Sequence, residues 1–226
     1  LKIVTKLIKN LPMSNIIENI KSGLIVSCQA PKDSPLHDPV IIAAIAEAAV
    51  NQGAVGVRID TPAHIKAVRQ RLPEIPIIGL WKQTELNSAV YITPRFEDAV
   101  AVAVAGADII AIDATQRQRP NQETITDLIT KIHDQLGKLV MADLDTLENA
   151  IAAQKAGVDL IGTTLYSYTE ETKNCTPPGY DLLSQLVEKF NLPIICEGGI
   201  ATPEMAKKAL DLGAYSIVVG TAITGI

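Results

Sequence analysis

Lys82 closes the apolar run Ile77-Ile78-Gly79-Leu80-Trp81, and Glu197 closes Ile194-Ile195-Cys196. A lysine at the end of a buried strand is partly desolvated, which lowers its pKa and suits it to act as a base or a Schiff-base nucleophile. Burial pushes a carboxylate the other way, so the two groups converge on neutrality as an acid/base pair. The plain alternatives are a lysine that snorkels from a loop to water and a glutamate that ion-pairs with Lys82 or Arg58. Arg58 offers a planar fork of donors to a carbonyl, hydroxyl or phosphate, and Asp143 can accept hydrogen bonds from hydroxyls or an amide. An ion pair between strand ends accounts for those two equally well. Gln29, Thr163, Thr164 and Asp113 stand at matching places after other apolar runs. Thr163 is counted with the substrate contacts, Asp113 reads as a cap for the turn that follows, and Asp60 is expected to face solvent.

Two glycine motifs add an anion site. Glu197-Gly198-Gly199-Ile200 precedes Thr202-Pro203, and Val218-Val219-Gly220-Thr221-Ala222 follows the last apolar run. Glycines let backbone N–H groups approach phosphate oxygens, and a following helix turn adds its dipole. Gly198, Gly199, Gly220 and Thr221 are therefore candidate phosphate contacts, although glycine pairs are also common in turns. The histidines say less: His37 sits in a loop beside Asp38, and His64 and His133 fall in helical segments, where surface placement is expected. No His, Asp, Glu and Cys cluster has metal-ligand spacing, and no G-x-S-x-G elbow is present. Cys28, Cys175 and Cys196 form neither a disulfide framework nor a zinc pattern, and Cys28 and Cys196 read as small core residues.

Short apolar runs must position these groups. They lie at 24–29, 54–60, 76–82, 108–113, 138–143, 159–163, 193–197 and 215–219, with helix-length segments at 39–52, 62–72, 95–105, 122–136, 147–156, 181–190 and 203–212. Continuous apolar runs of this kind suit strands buried on both faces in a parallel sheet. Asp38-Pro39, Thr61-Pro62 and Thr202-Pro203 each place a capping residue before a first-turn proline. Gly53, Gly106, Gly157 and Gly213 stop helices just before the next strand. Eight strands and seven intervening helices predict an α/β fold, a single (β/α)8 TIM barrel. The rival, a doubly wound open sheet, lacks a G-x-G-x-x-G after the first strand. In such a barrel, chemistry sits at the C-terminal ends of the strands, and the loops after strands seven and eight commonly hold phosphate. Residues 90–94 read as a structured excursion in the loop after strand three. Ser14 can cap a short helix ending at Gly23, a plug for the barrel floor. The chain thus divides into an N-terminal extension with a short helix, 1–23, and a barrel catalytic domain, 24–226. Six residues follow Gly220, so the eighth helix is expected to be absent from this chain. Its flank would then be covered by another segment or subunit, which makes a homodimer one expectation.

Length and composition agree. At ~150 residues per domain the chain is about one and a half domains, within the range of one barrel. Apolar residues make up 47%, charged residues 20% and aromatics 4%, which excludes disordered, collagen-like and coiled-coil chains. Lys plus Arg number 20 against 25 Asp plus Glu, a net charge of −5. With no basic tract longer than two residues, general nucleic-acid and membrane-surface binders are excluded. A small anion remains admissible where the site is locally positive. No apolar run approaches the ~20 residues of a membrane span. The first residues interleave apolar groups with lysines and carry no signal-peptide core, so a cytoplasmic location is expected. The sequence opens with Leu1 rather than Met, and its first residues are not taken as the natural start.

Several stretches also resemble a known family. They are Leu24-Ile25-Val26-Ser27-Cys28-Gln29-Ala30, Pro35-Leu36-His37-Asp38-Pro39, Gly56-Val57-Arg58, Pro76-Ile77-Ile78-Gly79-Leu80-Trp81-Lys82 and Tyr91-Ile92-Thr93-Pro94. Further along come Asp108-Ile109-Ile110-Ala111-Ile112-Asp113-Ala114-Thr115, Met141-Ala142-Asp143, Gly162-Thr163-Thr164-Leu165, Cys196-Glu197-Gly198-Gly199-Ile200 and Val218-Val219-Gly220-Thr221-Ala222-Ile223. Together they resemble the N-acetylmannosamine-6-phosphate 2-epimerase family, (β/α)8 barrels of amino-sugar and sialic-acid catabolism. The resemblance implies that Lys82 is the catalytic lysine and Glu197 the catalytic carboxylate. It further implies that Gln29, Arg58 and Asp143 bind the sugar and that the glycine loops hold its 6-phosphate. No nicotinamide, metal or pyridoxal cofactor is implied. The chain departs from the family pattern at Gln83-Thr84, where many members carry Arg-Asp, and at Asp145, where a serine is often found. The reaction implied is inversion at C2 of an N-acetylhexosamine 6-phosphate by removal and return of a proton. A Schiff-base lyase of a phosphorylated sugar, and a phosphosugar-binding barrel without catalysis, are the alternatives.

Overall fold

Alternation along the apolar runs sorts their side chains into two separate cores. Residues 13–85 and 88–225 are described by a computed structural model; residues 1–12, half of the expected N-terminal extension, and residue 226 lie outside the described part. The strands are β1 (Leu24–Cys28), β2 (Gly56–Asp60), β3 (Ile77–Leu80), β4 (Ile109–Asp113), β5 (Leu139–Asp143), β6 (Leu160–Gly162), β7 (Ile194–Glu197) and β8 (Ser216–Val219). They pair in parallel and in sequential order into a closed barrel, with β8 returning to β1 from Leu24↔Ile217 to Val26↔Val219. Ile25, Ile78, Leu80, Ile109, Met141 and Ile195 fill the barrel interior. Their neighbours Val26, Ile77, Ile110, Val140, Ile194 and Cys196 pack beneath the helices. Burial on both faces is why the runs are continuous rather than alternating apolar and polar.

Around this sheet run α2 (Pro39–Asn51), α3 (Pro62–Arg71), α4 (Phe96–Ala105), α5 (Ile125–Lys131), α6 (Leu147–Ala156), α7 (Tyr180–Lys189) and α8 (Pro203–Asp211). The fold is thus the (β/α)8 barrel that the alternation predicts. Helix α5 runs on into a π-helical stretch, Ile132–Leu136. Helix α1 (Met13–Asn19) contains Ser14 rather than starting after it, and its Ile16 and Ile20 join the interior core below the strands. After β8 the described residues hold one short helix, α9 (Thr221–Thr224). Among the described residues no helix is long and apolar enough to cross a membrane.

The caps follow the sequence at two of three prolines. Asp38 accepts from the backbone N–H groups of Val40 and Ile41, and Thr202 accepts from that of Met205. Thr61 departs. Its N–H donates to Leu80 O at 3.0 Å, continuing the β2–β3 ladder. The chain must then turn into α3 within one residue, and it does so at φ +73°, with no cap bond from the Thr61 side chain. Among the described residues its buried hydroxyl has no partner.

Candidate active site

The same alternation that packs the interior lifts every second residue into the barrel mouth. Arg58, Asp113, Asp143 and Glu197 end or nearly end their strands in phase with the inward residues below them. Arg58 is 2% exposed and Asp143 fully buried. Two hydrogen bonds join them, from Nη1 to Oδ1 at 3.1 Å and from Nη2 to Oδ2 at 2.6 Å. Nη1 also lies 3.1 Å from Glu197 Oε2. The Thr164 hydroxyl stands between the carboxylates, 2.6 Å from Asp143 Oδ1 and 3.1 Å from Glu197 Oε2. It has one proton to give, and when Asp143 takes it, a protonated Glu197 can donate back to the Thr164 oxygen.

Burial pushes the Glu197 carboxyl up to about 7, and the Asp143 charge works in the same direction. Arg58, Thr164 and Lys82 pull it down but do not win, because Arg58 is already shared with Asp143. Burial opposes the guanidinium charge, yet Asp143 and Glu197 more than offset it, so Arg58 is held above its ordinary value. At neutral pH Glu197 is therefore poised to take or give a proton, which a surface glutamate is not.

Lys82 is placed differently from the sequence expectation. Strand β3 ends at Leu80, and Lys82 instead makes an antiparallel bridge to Ile92. Thr93 N–H donates to Trp81 O and Gln83 N–H to Tyr91 O, both at 2.9 Å. Residues 90–94 thus fold back on the lysine as an excursion after β3, not as a ninth strand. The Lys82 N–H donates to Asp60 Oδ1 at 2.9 Å. Asp60 therefore does not face solvent: it is in β2, in phase with Arg58, and 9% exposed. The ammonium donates to Gln29 Oε1 at 2.6 Å, and Gln29 Nε2 donates to Ser27 Oγ at 3.0 Å. Among the described residues Lys82 has no carboxylate partner, and Glu197 pairs with Arg58 instead.

A cavity of about 680 Å³ opens over these groups. Gln29, Arg58, Lys82, Glu197, Gly198, Gly199, Gly220 and Thr221 all line it. Because β3 and β7 are on opposite sides of the ring, Lys82 and Glu197 reach it from facing walls. Gly198 and Gly199 hold φ of +104° and +71°, and a side chain on Gly199 would begin 2.6 Å from Pro177 Cβ. Glycine is required there for both reasons. Two expected contacts are not among the residues that line the cavity: Asp143 is held by Arg58, and the Thr163 hydroxyl is used by the backbone N and O of Glu197 at 3.0 and 2.9 Å. The side chain in the cavity is that of Thr164. Alternation from Leu160 through Gly162 points to Thr164, a signal present in the sequence. Tyr91 and Ser27 also line the cavity without having been singled out.

The remaining polar residues are engaged locally. Asp113 accepts from Thr115 and from Arg117 Nη2 at 2.6 Å. His64 is buried rather than on the surface, because α3 turns it toward the loop after β1. There it meets His37 edge-on at 4.5 Å between ring centres. Burial and His37 lower its pKa. His37 Nδ1 lies 2.9 Å from Ala30 O, which ties down the loop that carries Gln29. His133 is partly exposed and pairs with Asp159 at 2.8 Å. Cys28 and Cys196 are core thiols, pushed by burial up to about 12 and about 11. Asp145 is buried and accepts from Asn149 and Thr169, which ties the start of α6 to the loop after β6.

Comparison with known proteins identifies the family. The family model described as "Putative N-acetylmannosamine-6-phosphate epimerase" matches residues 42–226. Two similar proteins are described as "Putative N-acetylmannosamine-6-phosphate 2-epimerase". One, from Thermosynechococcus vestitus, is 65% identical over 94% of this chain and 92% of its own length. The other, from Synechococcus elongatus, is 61% identical over 93% of this chain and 91% of its own. A solved structure of the N-acetylmannosamine-6-phosphate 2-epimerase from Clostridium perfringens superposes with a TM-score of 0.89 at 44% identity, covering 92% of this chain and 90% of that one. A thiamine phosphate pyrophosphorylase from Pyrococcus furiosus, at 20% identity and a TM-score of 0.64, shares the fold alone. With its family model spanning most of the barrel and these relatives matching it nearly end to end, the chain belongs to the N-acetylmannosamine-6-phosphate epimerase family.

Proposed function

We propose that this barrel interconverts N-acetylmannosamine 6-phosphate and N-acetylglucosamine 6-phosphate by removing and returning the proton on C2. The observation that carries the reading is the facing pair in one cavity, Lys82 from the β3 side and Glu197 from β7. Inversion needs a proton taken from one face of a carbon and delivered to the other, and two groups on facing walls can do both. The C2 proton becomes labile when the sugar ring opens and C1 is a carbonyl, and a general acid near neutrality assists that opening. Glu197, held at about 7, suits that work.

Gly198, Gly199, Gly220 and Thr221 take the 6-phosphate on their backbone N–H groups in this reading. Gln29 orients the Lys82 ammonium and offers its amide to a sugar hydroxyl. Arg58, Asp143 and Thr163 act beneath the sugar: Arg58 and Asp143 set the charge around Glu197, and Thr163 fixes its backbone. The required partner is a phosphorylated amino sugar, and none of the steps asks for a cofactor. Incubation of the chain with N-acetylmannosamine 6-phosphate, followed by NMR of the anomeric signals, tests the proposal. Growth of the N-acetylglucosamine 6-phosphate signals to an equilibrium mixture is expected, and an unchanged spectrum rules the reaction out.

A further inference from the structure

Tyr91 has no part in the proton transfer, yet it is built into the cavity wall. The excursion that carries it is fastened to the lysine: Gln83 N–H donates to Tyr91 O, the Lys82 backbone bridges Ile92, and Asp113 N–H donates to Ile92 O at 2.9 Å. Tyr91 and Ile92 both line the cavity. Among the described residues the Tyr91 hydroxyl makes no hydrogen bond. Burial raises its pKa, as do the charges of Asp143 and Asp113, so it stays a donor. A part-buried phenol in a cavity wall, its donor unused, is available to an acceptor on a ligand.

The substrate reading supplies that acceptor. In that reading the 6-phosphate lies on the glycine loops after β7 and β8 and C2 between Lys82 and Glu197, so a C2 substituent directed away from the phosphate meets the β3–β4 side. Tyr91 and Ile92 form that side. Resting on the epimerase reading above, we propose that Tyr91 is the specificity-determining residue for the N-acyl group, its hydroxyl donating to the amide carbonyl while its ring and Ile92 enclose the methyl. The role also serves the inversion. An amide held in one place keeps the nitrogen fixed while C2 flattens and the proton returns from the other face.

The test compares N-acetyl- and N-propanoyl-mannosamine 6-phosphate on the intact chain. Tyr91→Phe removes only the hydroxyl and is expected to raise KM for the N-acetyl substrate about fivefold, with kcat within about twofold. Tyr91→Ala opens the wall and is expected to raise the kcat/KM ratio of N-propanoyl over N-acetyl at least about tenfold, the usual worth of one methylene in a closed pocket. Tyr91→Leu carries the same ratio measurement should Tyr91→Ala not fold. An unchanged ratio in a folded variant overturns the acyl wall, and an unchanged KM in Tyr91→Phe overturns the hydrogen bond. Wild-type protein inactive on the N-acetyl substrate is a separate result, which sinks the epimerase reading itself.

Discussion

Asp143 holds the Arg58 guanidinium by both oxygens, at 3.1 and 2.6 Å, with neither side chain more than 2% exposed. Removing Arg58 leaves the Asp143 carboxylate buried without its cation, which costs about 3–5 kcal/mol. Arg58→Met is therefore expected to lower the thermal midpoint by about 10 °C, measured by circular dichroism. The double variant Asp143→Leu with Arg58→Met should recover much of that loss, because the Asp143 charge is then gone and Glu197, already pushed up by burial, takes a proton when Arg58 is removed. Equal loss in both would show that the pair is not the source.

Glu197 predicts a pH dependence of known sign. Its folded-state pKa is raised from 4.5 to about 7, so between those values the folded protein binds more protons than the unfolded chain. Stability therefore falls as pH rises through that window. Glu197→Gln should flatten this part of the stability curve in denaturant titrations at several pH values. It should also delete the ionisation near neutrality from the pH profile of kcat. A wild-type profile flat from pH 5 to 8 would remove Glu197 from the proton chemistry.

Asp60 fixes the root of Lys82, the proposed catalytic lysine, through its bond to the Lys82 N–H. Asp60→Asn keeps an acceptor there, whereas Asp60→Ala does not. The expectation is a kcat lowered about five- to tenfold in Asp60→Ala, at nearly constant KM, and largely restored in Asp60→Asn. Equal loss in both variants would mean that the charge, not the hydrogen bond, matters.

The barrel was legible because its evidence is local and repeated: apolar runs, Pro-led helices and left-handed glycines at Gly53, Gly106, Gly157 and Gly213. The charges that end β4, β5 and β7 were legible too, since a charge at the end of an apolar run has few other places to be, whereas Lys82 lies two residues past the end of β3. What the sequence hid depends on contacts between distant segments. Asp60 looked solvent-facing because its acceptor role exists only once Lys82, one helical connection further along the chain, folds beside it. His64 looked like a surface histidine because only the loop after β1 buries it. Thr163 and Thr164 are adjacent, and which one faces the cavity turns on the phase of a three-residue strand.

The glycine loops predict a graded response. Gly199→Ala meets both a positive φ of 71° and a contact of 2.6 Å with Pro177, whereas an alanine at Gly220 would sit 3.5 Å from Ser27 Cβ in ordinary contact. Gly199→Ala is therefore expected to raise KM for the phosphorylated sugar by about tenfold or more and to weaken competitive inhibition by inorganic phosphate, with Gly220→Ala much milder. Equal effects of the two substitutions would contradict the placement of the phosphate.

The proposed proton traffic at C2 through Lys82 and Glu197 is best followed directly, by NMR of N-acetylmannosamine 6-phosphate in D₂O with the wild-type chain and with Lys82→Ala. The wild type should form N-acetylglucosamine 6-phosphate carrying deuterium at C2, while Lys82→Ala still binds the sugar but leaves its C2 proton in place. Undiminished C2 exchange in Lys82→Ala, or conversion by the wild type with no deuterium at C2, would contradict it.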